Sequence, residues 1–152
     1  MKKIAVFPGS FDPITKGHQD IVKRALPLFD EIIIGIGINS TKVSHFSLGQ
    51  RLKFIQHTFA NEANIKVKSY QGLTVDFCKE HNAQYILRGI RSSVDYEFEK
   101  PIAQMNKAME GIETIFMLTS PELSAISSTI IRDILKNNGN VAQFLPEGLE
   151  IK

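Results

Sequence analysis

The sequence predicts a doubly wound α/β domain: a Rossmann-like sheet of five parallel strands with helices on both faces. Three observations carry that prediction. Strand-like apolar runs and runs with helical apolar spacing alternate five times along the chain. The clearest strand candidates, IAVF and EIIIGIGI, are continuously apolar, as befits strands buried on both faces of a parallel sheet. Each strand candidate is followed by enough chain for a helical crossover, the connection that parallel strands require.

Composition narrows the class further. The chain has 152 residues, read as one domain spanning 1–152. It is 43% hydrophobic and 22% charged, ordinary for a globular protein. A net charge of only +2 argues against nucleic-acid binding driven by bulk charge, and no nucleic-acid partner is expected. The single cysteine, Cys78, has no partner for an internal disulfide and reads as core. No apolar run reaches the ~18 residues of a membrane helix. The apolar run in MKKIAVFPGSFD is too short for a signal peptide, so no membrane partner and a cytoplasmic location are expected.

Ile4–Phe7 reads as the first strand, ended by Pro8 and Gly9. Asp12-Pro13 makes a further turn, and Thr15 stands where a helix N-cap belongs. A helix follows over Lys16–Phe29, with Ile21, Val22, Ala25, Leu26 and Phe29 on one face and Pro27 bending or ending its last turn. Glu31–Ile38 is the second strand, and Asn39–His45 a polar loop with His45 at the surface. Ser47 and Gln50 have capping-box spacing ahead of a helix over Leu48–Ala60 with Leu52, Ile55 and Phe59 inward. Ile65–Tyr70 is the third strand, Thr74–His81 a short helix with Asn82 at its end, and Tyr85–Arg88 the fourth strand. Val94–Met109 is a helix bent near Pro101, and Glu113–Leu118 the fifth strand. Thr129–Asn137 is the last helix, stopped by Asn138-Gly139, and Phe144-Leu145-Pro146 belongs to a tail that docks on the core.

In such folds ligands bind beyond the carboxyl ends of the strands, where the strand order reverses. The loops that follow strands are therefore the candidate chemistry. PGSFDPITKGH offers a Gly-bearing turn, the Ser10 hydroxyl, and His18 in the first turn of a helix. A helix N-terminus presents free N–H groups to phosphate, and a histidine there adds a donor. An ordinary strand–turn–helix corner is the alternative. Neither G-x-G-x-x-G nor G-x-x-x-x-G-K-[ST] is present. After the second strand comes Lys42, a mobile cation for phosphate or a solvated loop residue. After the third, Leu73 and Thr74 open a helix. After the fourth, Arg88 and Arg91 flank Gly89 and Ile90, forks suited to an anion or to a local acid such as Asp95, Glu97 or Glu99. Glu99 suits either an arginine or a ribose hydroxyl. After the fifth, Ile126-Ser127-Ser128-Thr129 enters a helix with hydroxyls at its cap, a second phosphate-ready terminus or plain capping.

PGSFDPITKGH, joined in order by Lys42, RGIR, DYEFE and ISST, resembles the signature of the phosphopantetheine adenylyltransferases within the T/H-x-G-H nucleotidyltransferase superfamily. The resemblance runs over nearly the whole chain. It implies transfer of an adenylyl group from ATP to 4′-phosphopantetheine, giving 3′-dephospho-coenzyme A and pyrophosphate. It places His18, Lys42 and Arg91 in catalysis. It places Ser10, Lys42, Leu73, Thr74 and Arg88 at the acceptor. At ATP it places Ser10, Phe11, His18, Gly89, Ile90, Arg91 and Glu99, then the segment Leu123, Ser124, Ala125, Ile126, Ser127, Ser128 and Thr129. Mg²⁺ is expected to travel with ATP on its phosphates, so no protein metal ligand is named. The resemblance also implies a homo-hexamer, with Ile102, Met105 and Met109 as interface or helix-packing residues.

This chain departs from the pattern at three places. Ser10 stands where many relatives have Thr, and the hydroxyl survives. Leu123 and Ala125 stand where relatives carry aromatics, which bears on the adenine wall. The sequence ends at FLPEGLEIK, so a terminal helix seen in relatives is expected to be short or missing. The alternatives in function are a related transferase with another acceptor, and a non-catalytic nucleotide- or coenzyme A-binding module on the same fold.

Overall fold

The computed structural model describes residues 1–151. Its elements follow in the order β1 (Ile4–Gly9), α1 (Lys16–Ala25), β2 (Glu31–Gly37), α2 (Leu48–Thr58), β3 (Ile65–Tyr70), α3 (Thr74–Glu80), β4 (Tyr85–Ile90), α4 (Ser93–Glu110), β5 (Glu113–Leu118) and α5 (Ser128–Lys136). The five strands form one parallel sheet in the order β3-β2-β1-β4-β5. The order reverses between β1 and β4, which puts the expected crevice there.

Side-chain alternation along the strands fills two cores. Ala5 and Phe7 of β1, with Ile32, Ile34 and Ile36 of β2, pack with Ile21 and Val22 of α1 and Phe54 and Ile55 of α2. Ile4, Val6 and Ile33 face the other way and pack with Val75, Phe77 and Cys78 of α3. Cys78 is fully buried, and burial pushes its thiol up to about 11, as a core residue requires. A third cluster docks the tail on α5 through Ile131, Val141 and Leu145.

Three of the boundaries that differ from the sequence reading have a clear physical cause. β1 does not end at Phe7 but continues through Pro8 and Gly9, which pair with Gly35 and Ile36. Pairing with β4 stops at Val6↔Ile86, so the missing N–H of Pro8 is tolerated in this central strand. α1 ends at Ala25, because Pro27 forces the next residues, Leu26–Leu28, into a tighter 3-10 turn. β4 does not stop at Arg88, because β5 pairs with it out to Ile90↔Leu118. Gly89 is there for close packing: a Cβ would lie 3.2 Å from Cγ1 of Ile21. α4 runs unbroken through Pro101, an exposed position where a lost hydrogen bond costs least. None of the α4 residues is fully buried, and Phe98, Ile102, Met105 and Met109 are exposed, so packing within the chain leaves its apolar side uncovered.

Candidate active site

The first loop is built around a helix cap. Thr15 is the N-cap of α1, and its hydroxyl accepts from the His18 amide at 3.3 Å. The Thr15 amide in turn donates to Nδ1 of His18 at 3.0 Å. A backbone N–H can only donate, so Nδ1 is an acceptor and the neutral ring carries its proton on Nε2. Burial holds the ring's pKa down to about 4, helped by the charges of Arg88 and then Arg91. His18 is therefore a neutral N–H donor near pH 7 rather than a cation or a base. Phe11, buried and at φ +46°, packs its ring edge against the imidazole with centroids 4.9 Å apart.

A cavity of about 390 Å³ opens at the reversal of strand order. It gathers residues from the loops after four strands. Ser10, Phe11 and His18 come from the loop after β1 and the start of α1. Lys42 comes from the loop after β2, and Arg88, Gly89, Arg91 and Glu99 from β4, its loop and α4. Ile126, Ser127, Ser128 and Thr129 close the far side at the start of α5. Two helix N-termini, α1 and α5, therefore meet in one basic cavity, the arrangement that binds phosphate. A second cavity of about 290 Å³ adjoins it, sharing Pro8, Gly9, Arg88, Phe98 and Glu99 and adding Tyr70, Thr74 and Asn106.

Both arginines have local acids. Arg88 makes a bidentate pair with Glu99, at 2.5 and 3.0 Å, and donates to the Pro8 carbonyl at 2.8 Å. Glu99 thus holds an arginine in this structure, and Arg88 forms the wall between the cavities. Arg91 pairs with Asp95 at 3.3 Å and is more exposed.

Five expected residues lie off the cavity walls. Ile90 is buried in the sheet. Leu73 is the exposed N-cap position of α3, while its neighbour Thr74 reaches the second cavity and hydrogen-bonds the Tyr70 hydroxyl at 2.8 Å. Leu123, Ser124 and Ala125 form the end of a 3-10 turn and the approach to Ile126, outside the lining. The sequence reading missed Arg132, which lines the large cavity and donates to Thr129 Oγ1 at 3.1 Å and to the Asp12 carbonyl at 2.9 Å. Its signal was present: Arg132 stands four residues after Ser128, on the same helix face.

Fold and site together define a nucleotidyltransferase of the cytidylyltransferase-like class, and the family model of that description matches residues 6–134. The solved bifunctional NMN adenylyltransferase/ADP ribose pyrophosphatase from Francisella tularensis shares the fold with a TM-score of 0.75 at 18% identity. That match covers 98% of this chain and 46% of that protein. Within the class, the chain belongs to the phosphopantetheine adenylyltransferase family. It is 53% identical to the Flavobacterium psychrophilum phosphopantetheine adenylyltransferase over 148 residues, 97% of this chain and 98% of that protein. It is 56% identical to that of Christiangramia forsetii and 50% identical to that of Bacteroides thetaiotaomicron, each match covering 97% of both chains.

Proposed function

We propose that the large cavity joins ATP to 4′-phosphopantetheine, releasing pyrophosphate and forming 3′-dephospho-coenzyme A. The observation that carries this is His18, held as an N–H donor between two phosphate-ready helix ends and beside Arg88 and Arg91. A phosphate oxygen of the acceptor attacks the α-phosphorus of ATP in line. The bond from that phosphorus to the bridging oxygen breaks, and pyrophosphate leaves with the electron pair. The nucleophile is already an anion, so no protein base is needed. What remains is to hold two anions together and to stabilise charge on the pentacoordinate phosphorus. Nε2–H of His18, Lys42 and Arg91 supply that stabilisation. Ser10 and Arg88 orient the acceptor's phosphate, and the second cavity, with Thr74, takes its pantetheine arm. Of the remaining residues expected from the resemblance, Phe11, Gly89, Glu99 and Ile126–Thr129 are proposed to shape the two substrate pockets, while Leu73, Ile90, Leu123, Ser124 and Ala125, off the cavity walls, are left without a direct contact.

Mg²⁺ carried on the ATP phosphates would neutralise part of their charge. Among the described residues no cluster of His, Cys, Asp or Glu forms a metal-binding set, and the two carboxylates of the large cavity, Asp95 and Glu99, are engaged by arginines. A metal carried by the nucleotide suits such a site. No helix of the described residues is long and apolar enough to cross a membrane. Action in the cytoplasm, as a hexamer whose contacts use the uncovered side of α4, completes the proposal.

The test is pyrophosphate release with ATP and Mg²⁺ against a panel of acceptors. Release with 4′-phosphopantetheine, and none with nicotinamide mononucleotide or without acceptor, is the expected result. Release with a different acceptor would reassign the substrate. ATP binding without release would mark a non-catalytic module.

A further inference from the structure

Three charged side chains are buried in this chain without lining either cavity: Glu31, which pairs with Lys66 at 2.7 Å, and Asp12, 4% exposed, and Arg51, 8% exposed, which have no ion-pair partner among the described residues. A buried charge survives only where hydrogen bonds replace its water. For Asp12 and Arg51 every such bond goes to backbone, in only two segments. The Asp12 carboxylate accepts from the His45 amide at 2.7 Å and from the Phe46 amide at 2.8 Å. The Arg51 guanidinium donates to the Phe46 carbonyl at 3.2 Å and to the Ser10 carbonyl at 2.9 Å. One segment is the loop after β1, which carries Ser10 and Phe11. The other is the end of the loop that carries Lys42.

The Lys42 loop has little else to fix it. Thr41, Lys42 and Val43 are exposed, and the bonds that Thr41 and Lys42 make run within the loop, back to Asn39. At its start the loop is joined to the sheet by the Ile38 amide bonding to the Tyr70 carbonyl at 2.8 Å. At its end it is joined by Asp12 and Arg51, and by Phe46 packed in the core. The junction lies three residues from Lys42. The body it fastens to is itself rigid, since Arg132 holds the Asp12 carbonyl and the Ser128 hydroxyl holds the Pro13 carbonyl at 2.7 Å. Through Phe11 the same loop touches the His18 ring.

We propose that Asp12, with Arg51, is a positioning residue that sets Lys42 against His18 across the large cavity. Asp12 touches no substrate in this arrangement; it acts through two amides on the loop. Its carboxylate is needed because two N–H groups point at it, and an asparagine would turn an NH₂ toward one of them. The inference rests on the role given to Lys42 above.

A double-mutant cycle on the full chain tests it. Asp12→Asn is expected to lower kcat by about a hundredfold, the scale of a misplaced charge about 1 Å from its working position. In a Lys42→Ala background the same substitution is expected to lower kcat by less than about threefold, because the group it positions is already gone. Equal losses in both backgrounds would overturn the proposal, since a general structural defect adds to the loss of Lys42. Amide hydrogen exchange on the unaltered chain gives an independent reading if Asp12→Asn does not fold. The His45 and Phe46 amides are expected to exchange at least about tenfold more slowly than those of Lys42 and Val43, which make no tie to the body of the protein. Exchange at the same rate would overturn the proposal. An unaltered chain that shows this protection but releases no pyrophosphate would fail the functional reading and leave the fastening itself intact.

Discussion

Lowering the pH from 7 to 4 probes the His18 site without any substitution. The ring's pKa falls from its ordinary 6.5 to about 4 in the folded chain, through burial first and then the charges of Arg88 and Arg91. The unfolded chain therefore binds more protons than the folded one between those values, and stability drops as pH falls through that window. A difference of that size corresponds to about 3 kcal/mol if fully expressed. His18 is half-buried beside an open cavity, so water screens part of it, and we expect about 1–2 kcal/mol. Urea unfolding at pH 7, 6, 5 and 4 would measure this, with His18→Gln as the reference that lacks the titrating group. The parent chain should lose about 1–2 kcal/mol more than His18→Gln across the series. NMR of the ring should show the Nε2–H tautomer at pH 7 and a titration midpoint clearly below the ordinary 6.5. A ring that titrates near 6.5, or equal losses in both proteins, would refute the picture of a neutral donor locked by Thr15.

Other consequences follow from single contacts. Glu99→Gln should cost about 1–3 kcal/mol in urea unfolding, because it removes the charged partner of a half-buried arginine; a loss below about 0.5 kcal/mol would show that Arg88 holds its place without it. Thr15→Ala should cost about 1 kcal/mol by loss of the cap and leave the His18 tautomer unchanged, since the bond to Nδ1 comes from backbone. Leu145→Ala should cost about 2–5 kcal/mol, read as a lowered Tm, because its side chain is buried where the tail meets α5.

What was legible in the sequence was mostly local. EIIIGIGI announces a buried strand because no surface position tolerates such a run. Thr15 reads as an N-cap, and Ser47 with Gln50 as a capping box, because capping depends on short spacing, and in the structure both caps form capping boxes, Thr15 with His18. Asn82 and Asn138 adopt positive φ at helix ends, as that residue type allows. What was not legible depends on contacts between distant parts of the chain. Pro8 looks like a strand end until β4 is seen to part from β1 beside it. Arg88 and Glu99 lie eleven residues apart, on different elements, so spacing alone cannot choose between a ligand and each other. Asp12 and Arg51 are separated by 39 residues, and nothing in either local stretch marks them as buried. The loops that line the cavity were nevertheless legible, because the rule that crevices lie beyond the carboxyl ends of parallel strands needs only the strand positions.

The central claim is that adenylyl transfer takes place around His18, which stabilises the transition state and does no proton transfer. The most direct measurement is the single-turnover rate of His18→Ala with saturating ATP, Mg²⁺ and 4′-phosphopantetheine, alongside its circular dichroism. The account predicts an unchanged spectrum and a rate lower by at least about a hundredfold. A folded variant that turns over near the unaltered rate would contradict it.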